Sequence, residues 1–226
     1  MLILADKRIP EKAKNNLKKY GEVLFIETHG ITYPAISGHP DIFFCNTENG
    51  LVIAPNIPEN IKQHLQQKKI QFVEGSLKVG NYYPETAHYN AVVTDQLLIH
   101  NMKHTEAVVL SENETLQKIH IKQAYTRCNL ISLDNTRFIT SDKGIEKTLS
   151  ERGYKVLFVH PKGIVLPGFE HGFIGGCCGI YDDSIFFIGS LNNFPEGDKI
   201  RNFIKGFEII ELYDGPLFDG GSLIFI

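Results

Sequence analysis

LADKRIPEKAKNNLKKYGEVLFIETHGITYP, residues Leu4–Pro34, returns in altered form as TSDKGIEKTLSERGYKVLFVHPKGIVLP, residues Thr140–Pro167. Asp6-Lys7-x-Ile9 matches Asp142-Lys143-x-Ile145, and Val23-Leu24-Phe25-Ile26 matches Val156-Leu157-Phe158-Val159. Gly30-Ile31-x-x-Pro34 then keeps the spacing of Gly163-Ile164-x-x-Pro167. A repeat of this kind decides the architecture before any single motif does. Each copy reads as a short apolar strand, a polar helix, a second strand and an irregular loop. In the first copy the helix is expected over about Pro10–Tyr20, with Pro in its first turn and Gly21 at its end. In the second it is expected over about Gly144–Arg152, ending at Gly153 in the same way.

The same grammar finds further units. Asn56–Lys68 reads as a helix before a strand at Ile70–Val73, and Asp198–Lys205 as a helix before Glu208–Leu212. A weaker helix, His104–Glu112, precedes Leu116–Lys122. Between these pieces lie apolar stretches broken by turn residues, which read as hairpins: Asp41–Pro55, His88–Asn101, Cys128–Ser141 and Cys178–Ser190. Gly220–Ile226 is half a hairpin, and its missing partner is Met1–Ala5. Five ββαβ units of about 40–50 residues therefore close into a ring with the terminal strands paired. No linker or low-complexity tract divides the chain, so residues 1–226 are expected to form a single domain.

Composition narrows the function. The net charge of −3 argues against a general nucleic-acid binder, which needs excess Lys and Arg. No apolar run approaches the roughly 20 residues of a membrane span. Met1–Leu4 meets Asp6, Lys7 and Arg8 at once, too soon for a signal peptide. Four cysteines without such a signal read as reduced thiols in a cytoplasmic protein. There is no C-x-x-C pair and no glycine loop leading into a helix, so neither a metal nor a nucleotide cofactor is expected.

A closed ring of five ββαβ units, hairpins inside and helices outside, resembles the pentein fold, a five-fold pseudo-symmetric α/β-propeller. The chain is similar to the guanidino-group modifying superfamily that uses this fold: arginine deiminases, dimethylarginine hydrolases and amidinotransferases. Tyr125-Thr126-Arg127-Cys128, Thr140-Ser141-Asp142-Lys143-Gly144-Ile145 and the run from Leu166 to Gly176 look like a bacterial branch of it. The resemblance implies a cysteine that attacks a guanidinium carbon, a histidine that moves protons and carboxylates that hold the cation. The nucleophile of such enzymes usually follows two glycines as G-G-x-x-C. Here the segment is Gly220-Gly221-Ser222-Leu223-Ile224, so Ile224 stands where the cysteine would be and cannot form a covalent intermediate.

The starts of the five inner strands are expected to converge on one pocket. They nominate Cys128, His39, His88 and Asp41 for catalysis, and Asn90, Arg127, Asn129, Cys178 and Asp219 for substrate binding. Cys128 is the surviving nucleophile candidate, its pKa lowered if Arg127 or a charged histidine lies beside it. A buried, inert thiol is the alternative. His39 and Asp41, two apart on one strand, would share a face and suit an imidazole oriented by a carboxylate. His88 and Asn90 repeat that spacing. Cys177, in a glycine-rich turn, and Cys45, near a hairpin tip, read as packing residues.

Two functions stay open. One is guanidino or amidino chemistry with an altered nucleophile. The other is a non-catalytic ring that binds a small polar ligand, or a protein partner, in its centre. Oligomeric state does not follow from the sequence.

Overall fold

The computed structural model describes all 226 residues. The chain begins with β1 (Leu2–Asp6), α1 (Glu11–Leu17) and β2 (Glu22–Ile26). A short helical turn, α2 (Pro40–Phe43), leads into β3 (Phe44–Thr47), β4 (Gly50–Ile53), α3 (Glu59–Gln67) and β5 (Phe72–Glu74). The third unit is β6 (Val92–Val93), β7 (Leu97–His100), α4 (Ala107–Ser111) and β8 (Gln117–His120). The fourth starts with the turn α5 (Thr126–Asn129), followed by β9 (Leu130–Ser132), β10 (Arg137–Thr140), α6 (Lys143–Ser150) and β11 (Lys155–Phe158). The fifth is β12 (Cys178–Tyr181), β13 (Ser184–Phe187), α7 (Gly197–Phe203) and β14 (Glu208–Glu211); β15 (Ile224–Phe225) ends the chain.

These strands make five separate three-stranded sheets. In each, an inner strand pairs antiparallel with a middle strand, which pairs parallel with an outer strand reached through the helix. In the first sheet the inner strand is β15, which pairs Ile224 with Leu4 and Phe225 with Ile3 of β1. The terminal strands thus close the ring, and the fold is the α/β pentein architecture.

The middle strands are buried, since sheets or helices cover both faces. All five residues of β1 are buried, whereas outer β2 is mostly half-exposed. The helices earn their places through i, i+4 apolar pairs that face the sheets: Ala13 with Leu17, Ile61 with Leu65, and Ile145 with Leu149. The adjacent phenylalanines Phe43, Phe44, Phe186 and Phe187 are all buried, as two-sided cover requires. No helix is long and apolar enough to cross a membrane.

Short polar links join neighbouring sheets around the centre. The Asp41 N–H donates to the Gly221 carbonyl at 3.1 Å, and the Arg127 N–H donates to the Asn90 carbonyl at 3.0 Å. The Leu223 N–H donates to the Cys178 carbonyl at 3.0 Å. Between the fourth and fifth sheets the chains nearly touch: a Cβ on Gly175 would lie 2.0 Å from the Arg127 carbonyl oxygen. Only glycine permits that approach.

One local expectation is corrected. His39 and Asp41 are not on a strand. Pro40 opens α2, so His39 is its N-cap and Asp41 lies in its first turn. Arg127, Cys128 and Asn129 are likewise helical, in α5. The strands begin after these residues, which leaves the turns themselves at the centre of the ring.

Candidate functional site

Asp41 is completely buried and organises the centre. Its Oδ2 accepts from the Cys128 thiol at 3.1 Å and from the Ser222 hydroxyl at 3.0 Å, while its Oδ1 has no partner. Asn90 completes the cluster. Its amide nitrogen donates to the Asp41 carbonyl oxygen at 3.0 Å and to Cys128 Sγ at 3.2 Å, and its Oδ1 accepts the Cys128 N–H at 3.2 Å. Cys128 therefore sits between a donor and a carboxylate acceptor. Burial, then the charges of Asp41 and Asp219, push its thiol pKa well above the ordinary range. Arg127 does not relieve this: its charge acts on Cys45 and Cys178, and its Nη2 donates to the Leu223 carbonyl oxygen at 3.4 Å.

His39 is 2% exposed and lies between two buried carboxylates. Its Nε2 is 3.9 Å from Asp6 Oδ2 and its Nδ1 is 4.0 Å from Asp219 Oδ1; Nδ1 has no hydrogen-bond partner. Asp219 is held by the N–H groups of Phe173 at 2.8 Å and Gly221 at 3.1 Å. Burial raises its pKa, the nearby His39 opposes that shift, and Asp41 adds to it. Gly221 is at φ +67°, and a Cβ there would fall 2.2 Å from the His39 Cβ. A side chain at this position would push the histidine out of place.

A cavity of about 190 Å³ opens on His39, Cys128 and Asp219. Tyr33, Tyr125, Phe169, His171 and Phe173 supply its aromatic wall, and no Lys or Arg lines it. Tyr33 stacks at a tilt on the exposed Phe169, with ring centroids 6.0 Å apart. The Tyr125 hydroxyl lies 2.5 Å from the Thr86 hydroxyl, and burial raises the phenol pKa of both Tyr33 and Tyr125. Buried carboxylates beside aromatic faces favour a cation.

A second cavity, also about 190 Å³, lies among the bodies of the inner strands rather than before their starts. Arg127, Cys178 and Ser222 border it. Asp41 bonds to Cys128, at the first cavity, and to Ser222, at the second. It therefore stands between the two ends of the central axis.

The remaining candidates lie elsewhere. His88 lines neither of these cavities; its Nδ1 bonds to the His104 carbonyl oxygen at 2.7 Å. Asn129 donates to the Tyr125 carbonyl and accepts from the Ser141 hydroxyl, tying α5 to the end of β10. Ile224 is buried in β15, far from any chemical role. Asp6, Tyr33, Phe169 and His171 were missed. The first stands in the repeated Asp-Lys frame and the last two in the Leu166–Gly176 run, but nothing in either stretch says which side chain turns inward.

Residues 4–224 match a family of unknown function, DUF6873. The chain belongs to that family. No curated protein matches this DUF6873 chain in sequence. Solved structures match it across 93% of its length. DDAH from Pseudomonas aeruginosa, a cysteine-to-serine mutant complexed with citrulline, aligns at TM-score 0.56 with 10% identity over 91% of that chain. The agmatine deiminase of C. jejuni gives 0.54 at 11% identity over 74% of its length. SxtG, an amidinotransferase from Microseira wollei in the saxitoxin biosynthetic pathway, gives 0.52 at 10% identity over 87%. All three are penteins, so the DUF6873 fold is the fold of that superfamily. Identities this low speak for the fold alone.

Proposed function

We propose that this DUF6873 protein binds a small guanidinium- or amidinium-type cation in the cavity bordered by His39, Cys128 and Asp219, and acts on it through Cys128. The observation that carries the reading is buried Asp219 in a cavity with an aromatic wall and no Lys or Arg, with buried Asp41 directly behind Cys128. Among the fold relatives, one is a deiminase of agmatine, a guanidinium compound that bears no carboxylate. Without a Lys or Arg in the lining, a cation that bears no carboxylate fits better than an amino acid.

The first proton transfer of the proposed reaction uses groups already in contact. As Cys128 Sγ bonds to the amidino carbon, its proton passes to Asp41 Oδ2, 3.1 Å away. The tetrahedral adduct then expels an amine, protonated by His39 through its unpartnered Nδ1. Water then gives a proton to His39 and bonds to the carbon of the S-alkylthiouronium. The C–S bond breaks, Asp41 returns its proton to the Cys128 sulfur, and a urea leaves with the surplus proton on the released amine. Binding without turnover is the second reading, favoured by the elevated thiol pKa and by Ile224 in the place of the relatives' cysteine.

Thermal shift with methylguanidine, propylguanidine and arginine, with released amine assayed in parallel, run on the parent and on Cys128→Ser, tests both readings. The expected result is stabilisation by the alkylguanidines, a weaker effect of arginine, and turnover only with Cys128. Stabilisation with no turnover by either protein leaves the binding reading. No stabilisation by any of the three cations overturns the proposal.

A further inference from the structure

The second cavity has no part in this chemistry, and its charge is opposite. Arg127 is the one charged side chain among the residues that line it. Arg8, Arg137 and Arg201 each hold a carboxylate. Arg127 holds none. Its one side-chain hydrogen bond runs from Nη2 to the Leu223 carbonyl at 3.4 Å, and its buried Nε has no partner. A guanidinium presents five N–H donors in a planar fork, and leaving a half-buried cation without a counter-charge is unfavourable. Asn46 borders the same cavity, with one amide hydrogen on the Phe225 carbonyl at 3.3 Å and the other free to donate.

We infer that the cavity at Arg127 is a binding site for a small oxyanion, held by the guanidinium fork and by the Asn46 amide. The site is distinct from the cation cavity, because Asp41 separates them. Arg matches planar carboxylate and phosphate edges through two parallel bonds, and the Nη1–Nη2 edge of Arg127 carries only the one bond to Leu223. No carboxylate in the lining would repel the anion. The inference does not depend on whether Cys128 is catalytic.

Equilibrium dialysis with labelled inorganic phosphate and with labelled acetate, at constant ionic strength, tests this on the full chain. Thermal shift with the same salts is run alongside. The parent is expected to bind one equivalent of at least one anion and to gain about 5 °C at a concentration about a hundredfold above Kd. Arg127→Gln should lose at least tenfold in affinity while folding at least as stably without anion, because a half-buried cation without a counter-charge is gone. Arg127→Lys should lose the fork but keep the charge, with an intermediate affinity. Cys128→Ala should bind the anion as the parent does. Preference for phosphate or for acetate identifies the source. If neither anion binds, or if Arg127→Gln binds equally well, the inference is overturned.

Discussion

The two copies of the Asp-Lys-x-Ile frame share a sequence but not a role. Ile9 and Ile145 are both buried against the sheets, and Phe25 and Phe158 occupy matching outer-strand positions opposite Ala5 and Thr140. The aspartates differ. Asp6 is the last residue of β1, still paired with Ile26, and its buried carboxylate holds Arg8 and approaches His39. Asp142 lies two residues beyond the end of β10. There it caps α6, with Oδ1 accepting the Ile145 N–H at 2.8 Å. Relative to the strand pairing, the frame is shifted by one residue between the copies. In a strand, a one-residue shift turns a side chain to the opposite face. The same motif therefore builds part of the central site in one unit and starts a helix in the other. Apolar repetition marks equivalence of packing, while polar repetition does not mark equivalence of function.

The apolar positions carry the largest expected effect. Ile9→Ala and Ile145→Ala should each lower stability by about 2–5 kcal/mol, since each removes a fully buried side chain. Urea denaturation of both variants checks this. A loss below about 1 kcal/mol in one of them would end the claim that the two positions are equivalent.

A polar strand end in another unit sharpens the contrast. His100 closes β7 as Thr140 closes β10; each carbonyl accepts the N–H that follows the outer strand, from Ile121 and Val159. His100 Nε2 meets the Ala124 carbonyl oxygen at 2.8 Å, and burial lowers its pKa from 6.5 to about 4. The unfolded chain binds the proton first, so stability is full above about pH 6.5. It should fall as pH drops toward 4, by about 3 kcal/mol for this group. Stability measured from pH 7 to pH 4 should decline less steeply in His100→Gln than in the parent. Parallel profiles would show that this histidine does not titrate as its burial requires.

The smallest effect separates the aspartates themselves. Asp142→Ala should cost about 1 kcal/mol as a lost helix cap and leave alkylguanidine stabilisation unchanged. Asp6→Asn, of the same shape without the charge, should reduce that stabilisation. Thermal shift on both variants decides it. If Asp142→Ala abolishes ligand stabilisation as well, the two copies are not divided in the way their registers indicate.

The five units, the hairpins and the pairing of the chain ends were legible because apolar periodicity and turn residues are local signals. Helix limits read from composition run a few residues too wide, as Pro10–Tyr20 against Glu11–Leu17 shows. The candidate site is legible only in part. Asp41, Cys128, Asn90, His39 and Asp219 were nominated as inner-strand starts, and the structure brings them into one buried cluster. His88, Asn129, Arg127 and Cys178 were nominated on the same ground but face elsewhere. In the short turns α2 and α5 the direction of a side chain changes by about 100° per residue. Position along the chain then does not tell which way Arg127 or Cys128 points, and the two neighbours end in different cavities.

The pairing of β1 with β15 has a consequence for chain entropy. Leu4 and Ile224 are partners across 220 residues, whereas Phe44 and Glu74 bound a sheet within 30. Loop-closure entropy grows only with the logarithm of length, so the sevenfold longer loop costs about 2 kcal/mol more. Burying one large aliphatic side chain offsets about that much. Two residues of strand, both apolar and both buried, are thus enough to hold shut a ring whose ends are as far apart in sequence as this chain allows.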